Sequence, residues 1–267
     1  MSSKCPSKDF TFGVELEYNL YDEGPREKLR PSLGRGWVVK PEHCGTEIVS
    51  PILRGSRGIL ECRRNIISIL ASLYSAGFKE VGMNDCGLHV HVGIDNTFTL
   101  GNLKRLLILV TRFENAIFHI MAERRKGNNF SHPLRLSEEE ILKATTFKSL
   151  EEKQNARHGR YYGCNIVAFR KHGTIEFRYS ASTISWPVIY SLISLYVRMV
   201  YFAKGKDPIP VGIRENPVEN LKLLLTTIGA GSIASKNLLN LANDSDKKEK
   251  VFGKTKIKLP RMKGLLK

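Results

Sequence analysis

Apolar and polar residues alternate along residues 10–18 (FTFGVELEY), with Val14, Leu16 and Tyr18 on one face and Glu15 and Glu17 on the other. This period of two is that of a strand with one buried face. It returns at residues 87–93 (GLHVHVG), where Leu88, Val90 and Val92 oppose His89 and His91. Residues 161–169 and 174–179 read as two further strands, and Lys171-His172-Gly173 between them predicts a hairpin. Short strands are expected at 37–39 and at 46–49, the second closed by Ser50-Pro51.

Elsewhere the period lengthens to that of a helix. Ile59, Ile66, Ile67, Leu70, Leu73 and Tyr74 share one face, with Gly77 as the stop. Thr99 opens a long helical pattern to about residue 124, and Ser137 with Glu140 and Ser149 with Glu152 mark two capping boxes. Ser185 and Pro187 begin a helix that runs to about residue 203, and two short helices are expected between Asn216 and Ala242. Strands and helices thus succeed one another without an internal repeat.

Composition narrows the class. With 267 residues, 42% of them hydrophobic, the chain can bury a core without staples, so one principal domain is expected, 10–243, between a lead (1–9) and a basic tail (244–267). Five scattered cysteines argue against a disulfide framework and suit a reducing, cytoplasmic setting; the opening residues carry no apolar stretch of a secretory signal. The most apolar long segment, 188–203, reads as too short to span a bilayer and contains Arg198, so no membrane is expected. The formal net charge of +16 is uneven: from Lys247 to Lys267 there are nine basic residues against Glu249 alone. That stretch is the expected contact for a polyanion or nucleic acid, although Val251, Phe252, Ile257, Leu259, Leu265 and Leu266 would also allow it to dock.

Three strands each carry a polar pair two residues apart, Glu15/Glu17, His89/His91 and Glu176/Arg178. Singly, such pairs are more often solvated faces. Together they offer ligand-type groups on the wet side of strands whose other side is apolar, which predicts one shared site. Glu15, Glu17, Glu176 and Glu47 form a mostly hard oxygen set, and His89 adds a nitrogen, a mixture that suits Mg²⁺ or Mn²⁺. Arg178 is either the ion-pair partner of Glu176 or a planar fork for phosphate oxygens. No Gly-x-x-x-x-Gly-Lys phosphate loop is present.

The ordered segments FGVELE, GTEIVSP, CGLHVHVG, RRKGNNFSHPL, RYYGCN and GTIEFR resemble the amidoligase family, within the superfamily of glutamine synthetase and glutamate–cysteine ligase. The resemblance covers residues 10–203 and implies an α+β fold, with a glutamine synthetase-like curved antiparallel sheet lining the active site and helices on its other face. It implies an ADP-forming carboxylate–amine ligase in which ATP phosphorylates a carboxylate and an amine then attacks the acyl phosphate. Carried over by motif, Glu15, Glu17, Glu47, His89 and Glu176 are metal ligands, and Arg178 contacts the transferring phosphate. His91, Arg160 and Asn165 face nucleotide or substrate, as does a basic position filled by Arg124 or Arg125. Within residues 38–42, where relatives carry an acid, only Glu42 offers one.

Two other classes compete. A metal-dependent hydrolase would use His89, His91 and a Glu to activate water. A nucleic-acid-binding protein with a vestigial ligase site would rely on the basic body and tail. The acid and amine substrates and the oligomeric state stay open.

Overall fold

The period-two runs form one open sheet in the computed structural model, which describes residues 9–82, 85–125, 128–210, 215–253 and 256–259. In chain order the strands are β1 (Thr11–Tyr18), β2 (Val38–Glu42), β3 (Gly45–Val49), β4 (Leu53–Arg54), β5 (Glu80–Gly82), β6 (Gly87–Gly93), β7 (Cys164–Asn165), β8 (Thr174–Ala181) and β9 (Lys256–Lys258). The helices are α1 (Glu23–Leu29), α2 (Gly55–Ser75), α3 (Leu100–His119), α4 (Glu138–Lys143), α5 (Phe147–His158), α6 (Ala168–His172), α7 (Trp186–Lys204), α8 (Pro217–Thr227), α9 (Ser232–Asn243) and α10 (Ser245–Phe252).

The sheet runs β2-β3-β1-β6-β8-β7, with β4 beside the start of β1, and its pairings are antiparallel. Phe12, Val14, Leu16, Leu88, Val90, Val92, Ile175 and Phe177 are buried in the core. Helices cover this apolar face: α2 packs on β1, α7 packs on β6, and α3 lies against α7 and α8. The opposite face of β1, β6 and β8 is therefore left to Glu15, Glu17, His89, His91, Glu176 and Arg178.

Four expectations need correction. The segment 161–173 is not a hairpin arm: only Cys164–Asn165 is strand, and the return to β8 is the short helix α6, which ends at Gly173 in the left-handed conformation. Ala-Phe-Arg-Lys-His favours a helical turn, and a following glycine supplies its C-cap. Thr146 rather than Ser149 caps α5, with Ser149 as the third residue of the reciprocal box. The helix opened by Thr99 ends at His119, short of residue 124, and a separate 3₁₀ turn spans Glu123–Arg125. The segment 188–203 belongs to a 19-residue helix that is by length and composition able to cross a membrane, yet 61% of its most apolar window is buried. Its place between β6, α2, α3 and α9 explains that apolarity as core packing.

The basic stretch begins as structure attached to the body. Asp244 caps α10 through Lys247 N–H, Phe252 is wholly buried, and Lys248 Nζ donates to the His119 carbonyl at 3.1 Å. Beyond it β9 pairs with β5, and Leu259 N–H donates to the Lys79 carbonyl. Leu265 and Leu266 lie outside the described residues. Phe252→Ala should cost about 3–5 kcal/mol, the loss expected for a buried aromatic. A denaturant melt that leaves stability unchanged would show that α10 adds nothing to the core.

Candidate active site

The site follows from register. Glu15 sits opposite His89, Glu17 opposite Glu47, His91 opposite Glu176, and Asn165 opposite Glu176. Directly opposed side chains on one sheet face are near neighbours, so five strands bring these polar groups together. His89 Nδ1 lies 3.1 Å from Glu15 Oε2 and 3.7 Å from Glu176 Oε1, while its Nε2 lies 3.8 Å from Glu17 Oε1. His91 Nε2 stands 3.3 Å from Glu15 Oε1, and its Nδ1 is 3.0 Å from Thr174 Oγ1. Glu17 Oε2 accepts the Gly87 N–H at 2.5 Å. A Cβ at Gly87 would fall 2.6 Å from His89 Nε2 and 3.1 Å from Arg125 Nη2, so only glycine leaves room for both side chains.

Two triads result, Glu15/His89/Glu176 and Glu17/Glu47/His89, each with ligand atoms within 4.8 Å of one another. They share His89, and Glu42 belongs to neither. Oxygen-rich sets with one imidazole fit a hard or borderline divalent cation. The electrostatics agree. Burial pushes the Glu47 carboxyl above the usual range, Glu15 and Glu17 nearby push the same way, and Lys40 at 2.5 Å only partly opposes them. A cation among these oxygens would relieve that crowding.

Glu15 behaves oppositely: burial would raise its pKa, but bonding to His89 and His91 holds it well below the carboxylate range. Glu176 is also buried, yet its pKa is lowered, chiefly by Arg178 and then by the two histidines. His91 is raised, because Glu15 and Glu176 outweigh its own desolvation. Arg178 Nη1 lies 2.5 Å from Glu176 Oε1 and 3.3 Å from His89 Nδ1, its Nε donates to the Phe130 carbonyl at 3.4 Å, and its guanidinium lies over the Tyr161 ring.

Cavities flank the cluster on two sides. One, of about 460 Å³, reaches Glu15, His91, His172 and Thr174 and has apolar walls that include Ile52 and Pro51. The other, of about 360 Å³, reaches Glu17 and His89 and is lined by Arg125, Arg160, Arg178, Phe130 and Tyr161. Of the two candidates after the long helix, Arg125 lines the second cavity, buried, and donates to the Arg178 carbonyl at 2.8 Å; the Arg124 side chain lies outside the described residues. Asn165 lines neither cavity. Its Nδ2 donates to Glu176 Oε2 at 2.6 Å, so it holds a candidate ligand in place.

Sequence reasoning passed over His172, whose ring meets that of His91 edge to face at 6.0 Å, and the aromatic walls Phe130 and Tyr161. The Arg-Tyr-Tyr run and the His beside Gly173 were the only hints available. Compared with known proteins, the chain matches no curated sequence. A family model described as "Putative amidoligase enzyme" matches residues 9–200, well over half of it.

Proposed function

The chain belongs to the amidoligase family, and on that premise we propose that it is an ATP-dependent carboxylate–amine ligase with a glutamine synthetase-like sheet. The observation that carries the proposal is the pair of triads set between two cavities of different chemistry, with Arg178 beside the shared His89 and lining the second cavity. In such a ligase a substrate carboxylate oxygen attacks the γ-phosphorus of ATP and releases ADP; the amine then attacks the acyl phosphate and releases inorganic phosphate. Mg²⁺ or Mn²⁺, held by Glu15, His89 and Glu176 and by Glu17 and Glu47, would neutralise phosphate charge and polarise the reacting oxygens.

The chain's own groups divide the remaining work. The apolar-walled cavity beside Glu15 and His91 suits the nucleotide, with the His91 and His172 imidazoles facing polar atoms of the ligand. The arginine-lined cavity suits the acid substrate: Arg160 and Arg125 give it anion-binding walls, and Phe130 and Tyr161 screen it from water. Arg178, buried and held by Glu176 and the Phe130 carbonyl, presents a planar fork where charge spreads over the phosphoryl oxygens. Asn165 keeps Glu176 aimed.

His91 belongs to neither triad. This weighs against the two-histidine hydrolase, which needs both imidazoles at one ion. The test is to incubate the purified protein with Mg-ATP and pooled acids and amines, following ADP and product masses. ADP and a condensed amide in step are expected. Amide hydrolysis that proceeds equally without ATP would overturn the proposal.

A further inference from the structure

Glu114 is a carboxylate on the core side of the molecule. It lies on the inward face of α3, 7% exposed, across the sheet from the acidic cluster. Its Oε1 accepts the Tyr179 hydroxyl at 2.6 Å, and Oε1 and Oε2 accept the Leu134 N–H at 3.0 and 2.9 Å. Burial pushes its carboxyl up to about 7, against the pull of those two donors. The titratable groups facing it are Tyr179 on β8 and Cys164 on β7, with Tyr196 on α7 beyond Tyr179. Among the described residues no cation is bonded to it.

Both of its partners lead to Arg178. Tyr179 is the next residue, and the β6–β8 pairing slips between Leu88↔Ser180 and Val90↔Phe177, so that residues 178 and 179 together oppose His89. Such a bulge re-aims a side chain. Leu134 closes the loop whose Phe130 carbonyl accepts Arg178 Nε, and that loop is pinned again where His132 N–H meets the Tyr161 carbonyl at 2.7 Å. A single carboxylate therefore joins the strand that carries the guanidinium to the loop that restrains it.

We propose that Glu114 is a positioning residue of this site: as a carboxylate it ties the β8 bulge to the loop at 128–134 and so fixes the direction of Arg178, and the site slackens when Glu114 takes a proton. Its effect on turnover rests on the ligase reading above. The ionised form offers acceptors to both donors, whereas the protonated form replaces one acceptor with an O–H that has to find another partner. The folded pKa lies above the ordinary carboxyl value, so the native state binds the extra proton. The contribution of this group to stability therefore falls as pH rises from about 4.5 to about 7. Turnover should rise over the upper part of that range. A residue that served stability alone would move both in the same direction.

The experiment compares wild type, Glu114→Gln and Tyr179→Phe, the last removing only a hydroxyl. Hydrogen exchange across residues 130–136 is measured at about pH 6 and about pH 8, beside kcat and KM for ATP over the same range. In wild type the loop should be better protected at the higher pH, after correction for intrinsic exchange, and the difference should vanish in both variants. Their kcat should fall about 10-fold with KM for ATP little changed, the mark of a misaimed group. Loop protection in both variants equal to wild type at each pH would overturn the proposal. So would a wild-type kcat limb near neutrality that survives in Glu114→Gln. If wild type forms no ADP while exchange behaves as expected, the ligase reading fails and the Glu114 tie stands.

Discussion

Glu176→Gln should reduce ADP formation by about 10³-fold or more, since loss of a ligand ought to exceed the 10–100-fold typical of its supporting partners. Both oxygens of Glu176 already face donors, Arg178 Nη1 on Oε1 and Asn165 Nδ2 on Oε2. An amide must turn its NH₂ toward one of them, so the variant loses a ligand charge and also dislodges either Arg178 or Asn165. Glu176 and Arg178 are 5% and 7% exposed. Removing one partner of so buried a pair costs about 3–5 kcal/mol, less where the cavity admits water. A thermal melt should therefore show a lower Tm, and Glu15→Gln, at a more open position, should lose turnover with a smaller drop. Calorimetry with Mg-ATP is the decisive measurement. If both variants bind and turn over like wild type, the triads are not the site.

Arg178→Lys should lower kcat by about 10²-fold, the scale on which a transition-state donor acts. The guanidinium reaches Glu176, His89 and the Phe130 carbonyl from one plane while it covers the Tyr161 ring. An ammonium on a flexible stem can replace the bond to Glu176 but cannot keep the remaining donors in that plane. KM for ATP should change little, because the lost contacts matter most as charge spreads over the phosphoryl oxygens. A kcat equal to that of wild type would mean that Arg178 serves only to neutralise Glu176.

Much of this protein is determined by sequence alone, because it depends on local periods. Alternation in β1, β6 and β8 sorts Glu15, Glu17, His89, His91, Glu176 and Arg178 onto one face before any partner strand is known. The helical stripes of α2, α3 and α7 mark what covers the other face. What lies between residues distant in the chain was decided by tertiary structure. The order that sets β1 between β3 and β6, so that Glu17 meets Glu47 and Glu15 meets His89, depends on which apolar faces bury together. The replacement of the expected hairpin by α6 is a local competition settled by packing against β8. Docking of Phe252 decides between the solvated and the docked end that the composition of the basic stretch left open. The β8 bulge, the two cavities and the tie from Glu114 to Tyr179 and Leu134 leave no periodic trace, since each is a contact between elements 20 or more residues apart or a slip of register that alternation cannot record.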